Sequence, residues 1–84
     1  MEVRLTAREW AKEIENKFTL FFELFNDEYS LDVHARAHGN NIVLFIKEPE
    51  GIDLKEKRNA VAVRSALNMA TRGCPYEFSY RLEK

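Results

Sequence analysis

The apolar residues of the N-terminal third recur at the spacing of an amphipathic helix. Thr6 precedes this run and Glu9 follows Thr6 by three residues, which is the spacing of a capping box. The pattern therefore predicts a helix that begins at about Thr6 and ends at Phe25 or Asn26. The residues predicted to form its apolar stripe, at helical steps of three or four, are Trp10, Ile14, Phe18, Phe21 and Phe25.

Two strands joined by a tight turn are predicted next. Residues 29–38 alternate between apolar and polar side chains, which is typical of a strand with one wet face. Gly39-Asn40 suits a two-residue hairpin turn, and the following residues 42–46 are apolar on both faces, as in a central strand. This turn fixes the register. The predicted pairs are Ala37 with Ile42, Ala35 with Leu44, Val33 with Ile46, Arg36 with Val43, His34 with Phe45, and Asp32 with Lys47.

A second helix and a last strand complete the pattern. Asp53 is predicted to cap the helix, because Glu56 lies three residues further on. Gly73 and Pro75 mark its end. Residues 76–82 then alternate, which predicts a strand with one buried face.

The order α-β-β-α-β places the chain in the α+β class, as a single domain over residues 1–84. Residues 1–5 also alternate, and we favour a short first strand there. That addition gives the order (β)αββαβ, a ferredoxin-like plait with an antiparallel-rich sheet and two helices packed on one face. The predicted core consists of Trp10, Ile14, Phe18, Phe21, Phe25, Val33, Ile42, Leu44, Ile46, Val63, Leu67, Phe78 and Tyr80.

Composition narrows the class of protein. The 84 residues carry a formal net charge of -1 with 45% hydrophobic residues, which excludes a disordered chain. A single cysteine excludes an internal disulfide framework and is typical of a reducing compartment, so we expect a cytoplasmic protein. No apolar run approaches the ~20 residues of a membrane-spanning helix, and we expect no contact with a membrane.

Residues with catalytic or metal-binding chemistry are few. His34 and His38 lie on the same face of the predicted strand about 13 Å apart, too far to bind one metal ion. Cys74 follows the end of a helix, where the helix dipole does not activate a thiol. The sequence contains no glycine-rich phosphate loop and no nucleophile elbow. We therefore expect no enzyme, no cofactor, no metal and no small-molecule substrate.

The side of the sheet opposite the helices is the predicted binding surface. It combines an apolar centre with basic residues, and such a patch is costly to leave in water. Only one aromatic side chain points outward, whereas single-stranded nucleic acids usually stack on two or three. The pattern favours a non-enzymatic protein-interaction module, such as an adaptor or inhibitor, that binds another protein or a second copy as a homodimer. Its predicted anchors are Phe45 and Val43, ringed by His34, Arg36 and Arg81.

Charge segregation suggests an alternative, nucleic-acid binding. Residues 1–28 contain four bases and seven acids, net -3, whereas residues 53–84 contain seven bases and four acids, net +3. A basic stripe on the second helix suits phosphates, an acidic partner, or solvent alone. The residues of the nucleic-acid alternative are Arg36, Phe45, Lys57, Arg64 and Arg72.

The end of the first helix is apolar on nearly every side. Leu20 and Leu24 lie outside the main stripe. Either a loop of the chain or a partner protein covers them, and we favour the loop because single exposed leucines are common.

Overall fold

Two helices and a three-stranded sheet make up the fold in a computed structural model, which describes residues 5–83. The predicted order of elements is confirmed. The first strand considered for residues 1–5 lies outside the described residues, apart from Leu5, which precedes the first helix and belongs to no strand. The elements are α1 (Ala7–Phe25), β1 (Asp32–His38), β2 (Asn41–Lys47), α2 (Lys57–Ala70) and β3 (Glu77–Glu83).

The start of α1 is fixed by the predicted capping box. The Thr6 hydroxyl oxygen accepts a hydrogen bond from the Glu9 backbone N–H at 3.2 Å, and Glu9 Oε1 accepts one from the Thr6 backbone N–H at 3.1 Å. Two N–H groups that the first helical turn leaves free are thereby satisfied. The hydrogen bonds from the Thr6 backbone and then its hydroxyl hold the pKa of Glu9 below its ordinary value of 4.5.

The predicted hairpin between β1 and β2 is confirmed residue by residue. The strands pair antiparallel from Asp32 opposite Lys47 to His38 opposite Asn41, in the register that the two-residue turn implies. Gly39 adopts a φ of +61°, a left-handed conformation that glycine reaches at little cost. The turn therefore determines which side chains of β1 and β2 share a face.

The sheet is mixed rather than antiparallel-rich. Its order is β1-β2-β3, with β2 antiparallel to β1 and parallel to β3. In a ferredoxin-like plait another strand lies between the two parallel strands of each βαβ unit. Here β2 and β3, which α2 connects, are direct neighbours, so the plait order is not confirmed over residues 5–83. Hydrophobic periodicity identifies strands, but it does not specify which strands become neighbours.

Both helices contribute to one core on a single face of the sheet. α1 packs against β1 and β2, and α2 packs against α1. Eight residues of the predicted core are buried as expected. Phe25 and Phe78 were predicted wrongly, because they are 51% and 42% exposed, while the other three are partly buried against the core. The buried eight are Ile14, Phe18, Val33, Ile42, Leu44, Ile46, Val63 and Leu67; the partly buried three are Trp10, Phe21 and Tyr80.

The rotation of α1 about its own axis explains why Phe25 is exposed although the sequence pattern places it in the core. Phe22, not Phe25, completes the buried side, and its ring lies 5.9 Å from that of Phe18. The buried residues Ala11, Ile14, Phe18 and Phe22 follow helical steps of three and four. Because residues 21, 22 and 25 are all phenylalanine, two stripes fit the sequence equally well, and contact with the sheet selects one.

The predicted cap of α2 is wrong. The helix begins at Lys57, and the Asp53 carboxylate instead accepts a hydrogen bond from the Lys55 backbone N–H at 2.9 Å, within the preceding turn. The Glu48 carboxylate accepts one from the Leu54 N–H at 3.0 Å, and Leu54 is buried in the core. Residues 48–56 therefore form an ordered loop. Its carboxylates accept hydrogen bonds from backbone N–H groups of the loop itself rather than from the first turn of α2.

Candidate functional site

The open face of the sheet presents residues from all three strands in aligned rows. His34 lies opposite Phe45, which lies opposite Arg81, and the next row runs from Arg36 through Val43 to Ser79. The outer rows are Asp32-Lys47-Glu83 at one end and His38-Asn41-Glu77 at the other. Because opposed residues in a sheet point to the same side, the register alone brings the predicted interface residues together.

The centre of this face is apolar and only partly covered. Val43 and Phe45 are half-buried, and neither belongs to the hydrophobic core or to the partly buried side chains packed against it. The Phe45 ring stacks on the His34 imidazole, with 5.2 Å between ring centroids and 20° between ring planes. The stacked pair forms a flat platform that other apolar or planar groups can contact.

Cationic side chains flank this centre. Arg36 and Arg81 are exposed on β1 and β3, one on each side of β2. The carboxylates of Asp32, Glu77 and Glu83 lie only in the outer rows. The face therefore has a positive middle and mixed ends, an arrangement that attracts a partner with negative charge beside an apolar side chain.

Leu20 and Leu24 are not covered by a loop, contrary to the prediction. They are 63% and 78% exposed, one helical turn apart near the end of α1. They border a shallow groove of about 710 Å³ that also includes Asn26 and Tyr29. α1 lies on the core side of the sheet, so these leucines form a second patch, separate from the open face.

The five residues of the nucleic-acid alternative do not form one surface. Lys57, Arg64 and Arg72 are exposed on α2 or just after it, in the helical layer. Arg36 and Phe45 lie on the opposite face of the sheet. A nucleic acid bound to this protein would therefore contact one of the two groups.

Residues with catalytic or redox chemistry stand apart from one another. The half-buried Cys74 directs its thiol to the Tyr76 backbone oxygen at 3.7 Å. His34 and His38 are separated by the row that contains Arg36, and His38 lies in an outer row. Within residues 5–83, no group of three or more His, Cys, Asp and Glu side chains is placed to hold a metal ion. Over the same range, neither helix has the length and apolar character needed to cross a bilayer.

The sequence pattern predicts β2 at the centre of the sheet with β1 and β3 at its edges, and this is confirmed, but two details of the edge strands were missed. The Glu15 carboxylate accepts a hydrogen bond at 3.0 Å from the Ala35 backbone N–H, on the side of β1 away from β2. Phe78, assigned to the core, is exposed on β3 at the opposite edge. Both features depend on contacts between elements that are distant in the sequence, and local periodicity carries no signal for such contacts.

Comparison with models of protein families, with curated proteins and with solved structures found no match to this chain.

Proposed function

We propose that this chain is a non-enzymatic protein-interaction module that binds a partner protein through the open face of its sheet. One observation carries the proposal: Val43 and Phe45 lie outside the core, in the middle of a face that neither described helix covers. Burying such residues against a partner removes apolar surface from water, worth about 25 cal/mol per Å² before the costs of association.

The face has the composition of a small binding hot spot. An aromatic anchor lies at the centre with arginines around it, and aromatic and arginine side chains are enriched where interfaces derive most of their affinity. The His34–Phe45 stack holds the anchor ring in place, so little rotamer entropy is lost on binding. The complementary partner is a protein surface with an exposed apolar side chain bordered by carboxylates.

A protein partner is favoured over a nucleic acid by the arrangement of charge. The open face offers one outward aromatic residue, and Glu77 and Glu83 would face the phosphates of a bound strand. The nucleic-acid alternative rests instead on the exposed stripe of Lys57, Arg64 and Arg72 on the helical side. It predicts affinity that falls steeply as salt concentration rises.

Quantitative affinity capture from nuclease-treated lysate tests the proposal. Phe45→Glu places a carboxylate at the centre of the face, and Phe25→Glu is the matched control, because Phe25 is an exposed phenylalanine on α1. We expect at least one protein to bind wild type and Phe25→Glu equally, and Phe45→Glu about 30-fold more weakly, the scale of a hot-spot residue. The protein so identified is then purified and its affinity for the three variants measured.

Two results would overturn the proposal. One is a purified partner that binds Phe45→Glu as tightly as it binds wild type. The other is retention of RNA or DNA alone, lost in an Arg64→Glu, Arg72→Glu variant, which would favour the nucleic-acid alternative. Circular dichroism of every variant confirms that the fold is retained.

A further inference from the structure

Among residues 5–83, no strand pairs with the backbone groups on the outer edge of β3. The Glu77 N–H donates to Asn40 O at 3.2 Å, and Glu83 O accepts from the Glu48 N–H at 2.6 Å, so these residues direct their backbone groups toward β2 and the loop that follows it. Backbone groups alternate sides along a strand, so those of Phe78, Tyr80 and Leu82 point outward. No strand within residues 5–83 pairs with this edge.

The side chains of β3 do little to prevent another strand from pairing. Natural edge strands are commonly protected by lysine, proline, a bulge or a charge that points into the core side. β3, with the sequence EFSYRLE, contains no lysine or proline, and its core-side residues Phe78, Tyr80 and Leu82 are all apolar or aromatic. Phe78 is 42% exposed there. The edge is therefore suited to receive a strand that also carries apolar residues on this side.

β3 is complementary to itself in one of the three antiparallel registers that pair at least five of its residues. Two-fold symmetry requires opposed residues to lie on the same face of the joined sheets, so the pairing centres on a single residue. Centred on Ser79, Glu77 of each copy faces Arg81 of the other, and Phe78 faces Tyr80. Centring on Tyr80 places Glu77 opposite Glu83, and centring on Arg81 places two arginines together. Opposite charges stabilise cross-strand pairs and like charges destabilise them, which selects the Ser79 register.

The same register fits the backbone. Phe78 and Tyr80 are the residues whose N–H and C=O groups point outward, and in the Ser79 register they face each other. Such a pair exchanges both of its N–H···O hydrogen bonds across an antiparallel interface. Hydrogen bonding is therefore compatible with the Ser79 register, and because the Tyr80 register fits the backbone equally well, the charge pairs are what distinguish the two.

We propose that a second copy of this chain pairs with the outer edge of β3, antiparallel and with Ser79 facing Ser79. The two sheets become one continuous sheet, and the exposed part of Phe78 is covered by Tyr80 of the second copy. The interface runs along the edge of the sheet rather than over Phe45, and it uses only Arg81 from the ring around Phe45, so the dimer presents two open faces on the same side. The inference goes beyond the proposed function and does not depend on it.

Charge reversal across the interface provides the test. Sedimentation equilibrium measures the dimer dissociation constant for wild type, Glu77→Arg, Arg81→Glu and the double variant. Each single change places like charges opposite each other twice in the symmetric dimer, so we expect it to weaken dimerisation about tenfold. The double variant exchanges the two charges and should restore the wild-type constant, which a merely structural effect of either residue would not do.

A second pair of variants controls for loss of fold. Phe78→Lys introduces a protective edge lysine and should yield a folded monomer, whereas Phe25→Lys removes a phenylalanine of similar exposure from α1 and should leave the dimer intact. Phe45→Glu should also leave it intact, so failure of the proposed function and failure of this inference are distinguishable.

Amide hydrogen exchange identifies the edge directly. In the proposed dimer the Phe78 and Tyr80 amides become protected as protein concentration rises, while Ser79 and Arg81, which face β2, are protected throughout. A chain that stays monomeric at several hundred micromolar would overturn the proposal. So would protection of Phe78 and Tyr80 that is independent of concentration, since a segment of the same chain would then cover the edge.

Discussion

β2 presents large apolar side chains on both of its faces, yet residues 5–83 fully cover only one. Ile42, Leu44 and Ile46 are at most 1% exposed beneath the helices, whereas Val43 and Phe45 remain half-buried on the other side. The buried sides of both helices contribute to the core on the same face of the sheet, and the exposed apolar residues of α1 do not reach the other face. Apolar sequence therefore identifies surfaces that need covering, and the number of amphipathic partners decides which of them the chain covers itself.

The largest expected difference between the two faces lies in stability. Leu44→Ala removes a buried side chain and should lower the free energy of unfolding by about 2–5 kcal/mol. Phe45→Ala removes a larger side chain from a half-buried site, and we expect a loss of about 1 kcal/mol, mainly the stacking contact with His34. Urea unfolding measures both values. Equal losses would mean that the open face is packed as tightly as the core.

The two edges of the sheet also differ in how far the chain covers their backbone groups. Glu15, at the β1 edge, provides the next test. Its carboxylate satisfies the Ala35 N–H on the β1 edge. Glu15→Ala should cost about 1 kcal/mol and speed hydrogen exchange at Ala35. Glu13→Ala is the control, because its exposed 3.8 Å pair with Lys17 contributes only about 0.3–0.5 kcal/mol. An unchanged exchange rate at Ala35 would show that β1 is no better protected than β3.

The predictable parts of the molecule are those fixed by residues close in sequence. The turn at Gly39 determined the hairpin register and with it the rows that carry Phe45, and the Thr6 cap determined where α1 begins. These features depend on local geometry. They required no knowledge of how the elements pack.

The errors concern choices that depend on distant parts of the chain. The face of α1 was ambiguous among three phenylalanines until the sheet selected Phe22. The sequence around Asp53 is equally compatible with capping a helix and with capping a turn, and the burial of Leu54 favours the turn. β3 is an edge strand, as predicted, but the exposure of Phe78 depends on how far the helices cover that edge, which is a property of packing.

The smallest expected effect concerns the cap of α1, which touches neither face of the sheet. The pKa of Glu9 is lowered in the folded state by its hydrogen bonds from Thr6, so its contribution to stability is present above pH 4.5. This contribution disappears as pH falls through the lowered pKa. The difference in unfolding free energy between wild type and Glu9→Gln should therefore shrink on acidification below pH 4.5. A difference that grows there would contradict the assigned hydrogen bonds.

Nuclear magnetic resonance mapping tests the central claim, that the uncovered face of β2 binds protein, most directly. Isotopically labelled protein is titrated with the purified partner identified by capture, and the chemical shifts of the backbone amides are followed along the chain. We predict that the largest changes cluster at Arg36, Val43, Phe45 and Arg81, and that Phe45→Glu abolishes them. Changes confined to α2, or to the Leu20–Leu24 patch, with the open face unaffected, would contradict the account.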